Sequence, residues 1–199
     1  MEHKGKIIVL EGLDKSGKTT QAHLLQEYLN DKHTGQIELF SFPDYTTKIG
    51  ALIRSFLDGK VQYNAQTKHM LLSANRWEKK ERILEALKSG KTIILNRYCQ
   101  SNLVYGLANG LNIDWLSFLD KGMPKEDVTI ILDVNPRVSY LRGIANNFIL
   151  DDFEKNLEFL DKVRNNYLEL AKKFNWHVLH SDNSKEIVFN SILEIIGEH

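Results

Sequence analysis

Gly12-Leu13-Asp14-Lys15-Ser16-Gly17-Lys18-Thr19 is the stretch on which the reading of this chain turns. It has the spacing of a phosphate-binding loop, Gly-x-x-x-x-Gly-Lys-Thr, and it directly follows a short apolar run from Lys6 to Glu11. A glycine-rich turn ahead of a helix aims several backbone N–H groups and the positive end of the helix dipole at one point, where a triphosphate can rest. Gly12 and Gly17 let the backbone approach phosphate oxygens. Lys18 is a flexible point charge suited to the β and γ phosphates, and the Thr19 hydroxyl can complete the shell of a Mg²⁺ ion that keeps most of its waters. Beyond Thr20, Leu24, Leu25, Tyr28 and Leu29 recur at helical spacing, and this helix is expected to end before Gly35. The pattern names a nucleoside triphosphate site shared by kinases, ATPases and GTPases, so the acceptor must be read elsewhere.

Outward from the loop, short apolar runs at 36–42, 91–95, 128–134 and 176–180 alternate with helical patterns, the signature of an α/β fold. The runs Ile93-Ile94-Leu95 and Ile130-Ile131-Leu132 are continuously apolar, as parallel strands covered by helices on both faces require. The sheet is therefore expected to be central and buried. Met70, Ala74, Trp77, Leu84 and Leu87 mark one helix of roughly 24 residues closed by Gly90. Phe153, Leu157, Leu160, Val163, Tyr167, Leu170 and Phe174 mark another, and Val188, Ile192, Ile195 and Ile196 mark a last one that packs back on the sheet.

The 199 residues, 42% hydrophobic, suffice for a single well-buried domain spanning 1–199. Lys plus Arg and Asp plus Glu balance at 26 each, which argues against a broad face for nucleic acid or an acidic membrane. Cys99 is the sole cysteine, so no intrachain disulfide exists; it reads better as a small residue at a helix start than as a nucleophile. No apolar stretch reaches the length of a signal core or a membrane span, and a cytoplasmic or nuclear protein is expected.

In an open α/β sheet the ligand sits beyond the carboxyl ends of the strands. Three such ends carry candidates: Phe42-Pro43-Asp44, Asn96-Arg97-Tyr98 and Asn135-Pro136-Arg137; a helix adds Asn75-Arg76-Trp77-Glu78. Arg97 is the best placed to clamp a second phosphate, since a planar guanidinium binds oxyanions bidentately. The alternative is a surface arginine paired with a carboxylate. Asp14, beside polyphosphate, must turn away to accept hydrogen bonds, either from a sugar hydroxyl of the acceptor or within its own turn. Arg142-Gly143 is either a plain helix end or a guanidinium placed to stack on adenine.

Taken together these motifs resemble the thymidylate kinases, most closely the eukaryotic and poxvirus branch of these P-loop nucleoside monophosphate kinases. The resemblance is carried by Leu10 to Gln21, Phe42-Pro43 with Ile49-Gly50, Leu71-Leu72-Ser73-Ala74-Asn75-Arg76-Trp77-Glu78, Arg97-Tyr98 with Ser101, and Leu141-Arg142-Gly143. It implies a five-stranded parallel sheet flanked by helices, a short lid at about 144–152, ATP as phosphoryl donor, Mg²⁺ as cofactor, dTMP as acceptor, and a homodimer. Residue by residue, it implies a donor site at Gly12 to Thr20 with Arg142 against adenine, and Lys15, Lys18 and Arg97 as the catalytic cations. The implied acceptor site comprises Asp14 at the 3'-hydroxyl, Phe42, Leu72 and Arg76 around the base, Arg97 at the phosphate, Tyr105 against the sugar's 2' position, and Ser101. Thr19 would meet the metal.

The chain departs from the family pattern at several positions. Asn96 stands where the family has an aspartate supporting Mg²⁺, Tyr45 replaces an arginine, Leu72 an aromatic that stacks on thymine, Asn102 a glycine, and Glu154 a glutamine. Lys15 occupies a position often held by arginine, and the lid looks two residues short and free of arginine. These changes leave two alternatives beside a working thymidylate kinase: a nucleotide-binding relative with weakened catalysis, and a kinase for another deoxynucleoside monophosphate.

Overall fold

The computed structural model describes residues 5–32, 36–145 and 156–198. Five apolar segments form strands: β1 (Ile7–Glu11), β2 (Ile37–Ser41), β3 (Thr92–Asn96), β4 (Val128–Asp133) and β5 (His177–His180). All pair in parallel in the order β2-β3-β1-β4-β5. Each lies within one residue, at either end, of its sequence-predicted run. Parallel neighbours need crossovers, supplied by α1 (Lys18–Lys32), α2 (Lys48–Leu57), α3 (Ala65–Trp77), α4 (Lys80–Lys88), α5 (Cys99–Ala108), α6 (Ile113–Leu119), α7 (Pro136–Ala145) and α8 (Leu157–Phe174); α9 (Lys185–Ile196) follows β5.

The all-apolar strands bury both faces. Ile8 and Leu10 of β1 join Ile94, Ile130 and Leu132 under Ala22, Leu25 and Leu29 of α1 and Val188 and Ile192 of α9. Ile7 and Val9 turn the other way, with Ile93 and Leu95, to meet Ile83 and Ala86 of α4. On that same side Ile131 packs with Val104 of α5 and Leu160, Val163 and Tyr167 of α8. Truncating any one of the buried leucines or isoleucines among these to alanine costs about 2–5 kcal/mol.

The strand order reverses at β1, which lies between β3 and β4. This opens a crevice at the carboxyl ends of the strands, where loops leaving β1 and β3 face one another.

Three expectations change. The single helix of roughly 24 residues expected to carry Met70 through Leu87 and close at Gly90 is two helices, α3 and α4, broken at Glu78 and Lys79. No proline or glycine breaks it; tertiary contacts do. The Trp77 indole donates to the Leu119 carbonyl, Glu78 accepts from Thr47 Oγ1, and Lys79 pairs with Asp44 at 2.7 Å. The sheet is buried only as far as β4, because β5 is an edge strand whose His177, Val178 and His180 are exposed. Finally, Gly35, the lid from 146 to 152, Phe153 and Glu154 lie outside the described residues; Ile144 and Ala145, placed in the lid from the sequence, end α7.

Candidate active site

The loop after β1 takes its shape from backbone conformations that few residues tolerate. Gly12 has φ 137°, and a Cβ there would collide with the Leu132 carbonyl oxygen, so no side chain fits. Gly17 has φ 96°, and Lys15 sits at φ 57°. α1 starts at Lys18, directing its first-turn amides into the loop. The Lys18 ammonium lies over the loop, donating to the Leu13 and Gly12 carbonyls at 2.6 and 3.0 Å. Burial, with the nearby Arg97 charge, pushes its pKa down to about 7 against the opposing pull of Asp14 and Glu11. A polyphosphate laid on it would restore the charge. Leu13 and Ser16 are buried scaffolding, while Thr19 and Thr20 are exposed.

Asn96, at the end of β3, donates from Nδ2 to Thr19 Oγ1 at 3.2 Å and to Ser41 Oγ at 3.4 Å. Its buried Oδ1 has no hydrogen-bond partner. A hydroxyl beside an unengaged amide oxygen fits a hydrated Mg²⁺ ion held chiefly by phosphates. Among the described residues no cluster of three His, Cys, Asp or Glu side chains offers an all-protein cage, and a metal of this type needs none.

Arg97 follows Asn96 with φ 67°, a left-handed conformation costing about 1–3 kcal/mol for a residue with a side chain. Its amide is held by the Leu10 carbonyl. The bend turns the guanidinium toward the loop, where Nη2 donates to Asp14 Oδ1 at 2.7 Å and Nη1 to Ser101 Oγ at 3.1 Å. The ring of Tyr105 lies 5.5 Å from the guanidinium. Asp14 thus pairs with Arg97 rather than within its own turn, and Arg97, although paired with a carboxylate as its alternative reading had it, is only 13% exposed and no surface residue. Burial works to raise its pKa, but Arg97 and Lys18 prevail and hold it at about 2.

All seven residues expected around the acceptor, Asp14, Phe42, Leu72, Arg76, Arg97, Ser101 and Tyr105, line one pocket. Three departures from the family pattern, Tyr45, Leu72 and Asn102, line it too. Phe42 reaches it from a turn latched by Asn75, which accepts from the Asp44 amide at 2.7 Å and donates back to the Asp44 carbonyl at 3.1 Å. Arg76 is buried and clamped by Asp120 through Nε at 3.2 Å and Nη2 at 2.7 Å.

On the donor side, Arg142 in the last turn of α7 donates to the carbonyls of Lys15 at 3.3 Å and Ser181 at 3.2 Å, which seats it at the rim of the loop. The third candidate strand end stays apart: Asn135 accepts from the Arg137 amide at the start of α7, and neither lines the pocket. Cys99 opens α5, and burial pushes its thiol far above the ordinary range, the behaviour of a structural residue.

Sequence reasoning missed the supports. Fully buried Glu11 accepts from the Tyr98 and Ser101 amides, the Ser101 hydroxyl and the Tyr167 hydroxyl, and lies 4.0 Å from Arg97. A carboxylate ending an otherwise apolar strand was the available signal. Ser139 donates to the Asp14 carbonyl at 2.6 Å. His69, buried on α3, and Asp120, buried just past the end of α6, gave none.

A phosphate loop at one strand end facing an arginine clamp at the next defines a P-loop nucleoside monophosphate kinase. Residues 10–192 match the thymidylate kinase family model. The thymidylate kinase of Schizosaccharomyces pombe is 39% identical over 201 residues, covering 98% of this chain and 93% of that protein. That of Danio rerio is 34% identical, covering 96% and 90%. The solved thymidylate kinase of Candida albicans superposes with a TM-score of 0.84 at 33% identity, covering 98% of this chain and 92% of the other. The chain belongs to the thymidylate kinase family.

Proposed function

We propose that this protein transfers the γ-phosphoryl group of ATP to the phosphate of dTMP, giving dTDP and ADP. The observation that carries the reading is Arg97, forced by its backbone to face the phosphate loop across a pocket lined by the acceptor residues. The loop amides with Lys18 and Lys15 hold the donor phosphates, and Arg142 lies against adenine. Arg97, steadied by Ser101, holds the acceptor phosphate, while Asp14 accepts from the 3'-hydroxyl. Phe42, Leu72 and Arg76 enclose the base, and Tyr105 leaves no room for a 2'-hydroxyl.

Phosphoryl transfer asks for positioning and charge neutralisation more than covalent chemistry, and this chain supplies two fixed cations on opposite sides of the transfer path. Mg²⁺, with Thr19 and Asn96 as its neighbours, neutralises donor phosphates when bound. The intact donor half, with both Lys18 and Thr19, disfavours a relative that has lost catalysis.

The same reading places the protein in the cytoplasm or nucleus as a homodimer. Among the described residues no helix is long and apolar enough to cross a membrane. Met70 and Trp77, one face of α3, and Phe118 of α6 are exposed apolar side chains, with Trp77 bonded to the carbonyl next to Phe118. Such a face suits a second copy of the chain.

A coupled assay with ATP, Mg²⁺ and a panel of dTMP, dUMP, dCMP and AMP tests the function. Preferred turnover of dTMP is expected, and Lys18→Ala should reduce it by at least about a thousandfold. Nucleotide binding without turnover, turnover confined to another acceptor, or an active Lys18→Ala variant would each overturn it.

A further inference from the structure

A buried polar chain runs behind the acceptor pocket, through α3, α5 and the end of α6. Asn109 Nδ2 donates to His69 Nε2 at 3.2 Å, which assigns the proton of the neutral ring to Nδ1. That Nδ1 then donates to Asn102 Oδ1 at 2.7 Å. With its oxygen turned to His69, the Asn102 amide points Nδ2 at the His69 carbonyl (3.3 Å) and at Asp120 Oδ2 (3.5 Å). Asp120 also accepts from Ser73 at 2.7 Å and from two nitrogens of Arg76. His69, Asn102, Ser73 and Arg76 are all at most 3% exposed. Asn102 and Arg76 form pocket wall, whereas His69 does not.

We propose that His69 is a positioning residue for recognition of the acceptor base: it locks the Asn102 amide, whose Nδ2 faces Asp120, and so steadies the Asp120 clamp that leaves Arg76 Nη1 as the hydrogen-bond donor to a pyrimidine carbonyl edge. Thymine offers an O4 acceptor where cytosine offers an amino donor, so a locked donor edge favours the first and leaves unpaired donors against the second. A glycine at 102, as in the family pattern, could not receive the His69 bond, so the device belongs to this chain. Burial keeps the ring neutral, with a pKa near 4, and a neutral ring is what the Asn109 bond requires. The inference rests on the acceptor site described above.

Steady-state kinetics of the full chain with dTMP and dCMP test it. His69→Leu should raise KM for dTMP about tenfold and narrow the dTMP to dCMP ratio of kcat/KM by a similar factor, with KM for ATP and kcat changed less than about twofold. His69→Asn, which restores a donor near Nδ1, should recover most of the loss. In an Asn102→Gly background His69→Leu should change nothing further, because its effect travels through that amide. Should the leucine variant not fold, His69→Gln, with no donor at the Nδ1 position, serves the same comparison. Unchanged acceptor kinetics, a parallel loss in ATP KM and kcat, or an equal loss in the Asn102→Gly background would each overturn the role of His69. Wild-type protein that does not use dTMP would instead overturn the acceptor reading.

Discussion

Single residues carry the chemistry through unusual surroundings. Arg97 bears a left-handed backbone in order to face the loop, and Glu11 beneath it fixes the turn through two amides and two hydroxyls. Lys18, Thr19, Asp14 and Arg97 were legible in the sequence because phosphate chemistry restricts both residue type and spacing. Their mutual distances were not, since only the sheet brings Asp14 and Arg97 together. Asn96 shows what one changed atom does: its amide donates to Thr19, the hydroxyl expected at the metal. A carboxylate there would accept from Thr19 and Ser41 and add negative charge beside metal-bound water. Asn96→Asp should therefore lower the Mg²⁺ concentration for half-maximal rate by about tenfold. An unchanged or higher requirement, measured by Mg²⁺ titration at fixed ATP, would remove Asn96 from the metal's surroundings.

At the scale of elements, β1, β3 and β4 were legible because strands buried on both faces must be continuously apolar, as Ile7 to Leu10 and Ile130 to Leu132 are, while the edge strands β2 and β5 showed only as short runs between helical patterns. The break between α3 and α4 was not, since Glu78 and Lys79 have ordinary helical character and are held out of the helix, as Trp77 is held at its end, by partners 30 or more residues away. The chain of His69, Asn102 and Asp120 was hidden for the same reason: periodicity locates apolar faces and says nothing of polar side chains that pair between helices. Burial of His69 between α3 and α5 makes their packing sensitive to acid. Its folded pKa of about 4 lies below the ordinary histidine value of 6.5, so between these the unfolded chain binds a proton that the folded one refuses. Stability should thus fall as pH drops from 6.5 toward 4, by roughly 3 kcal/mol. Asp14 and Asp44 act lower: against the raising effect of burial, Arg97 holds the first and Lys79 the second at about 2, so their contribution is lost only as pH falls toward that value. Denaturant unfolding at pH 7 and 4.5 should show a larger loss for wild type than for His69→Asn. Equal losses would mean that the ring is charged in the folded protein.

For the whole molecule, the exposed apolar face of α3 and α6 sets the assembly expected of it. Phe118 is 70% exposed and is not among the residues lining the acceptor pocket. Phe118→Asp should cost a dimer at least about 2 kcal/mol and shift the light-scattering mass from twice 23.0 kDa toward 23.0 kDa. A wild-type monomer, or a variant that still dimerises with full affinity, would place the interface elsewhere. The ion pair between Asp14 and Arg97 has a wider consequence for a chain of zero net charge. A site that gathers cations for two polyanions repels itself while idle, and this carboxylate is the guanidinium's counter-charge. On the proposed reading an acceptor phosphate would take that place and leave the freed oxygen to a sugar hydroxyl, so that no state of bare positive charge would intervene.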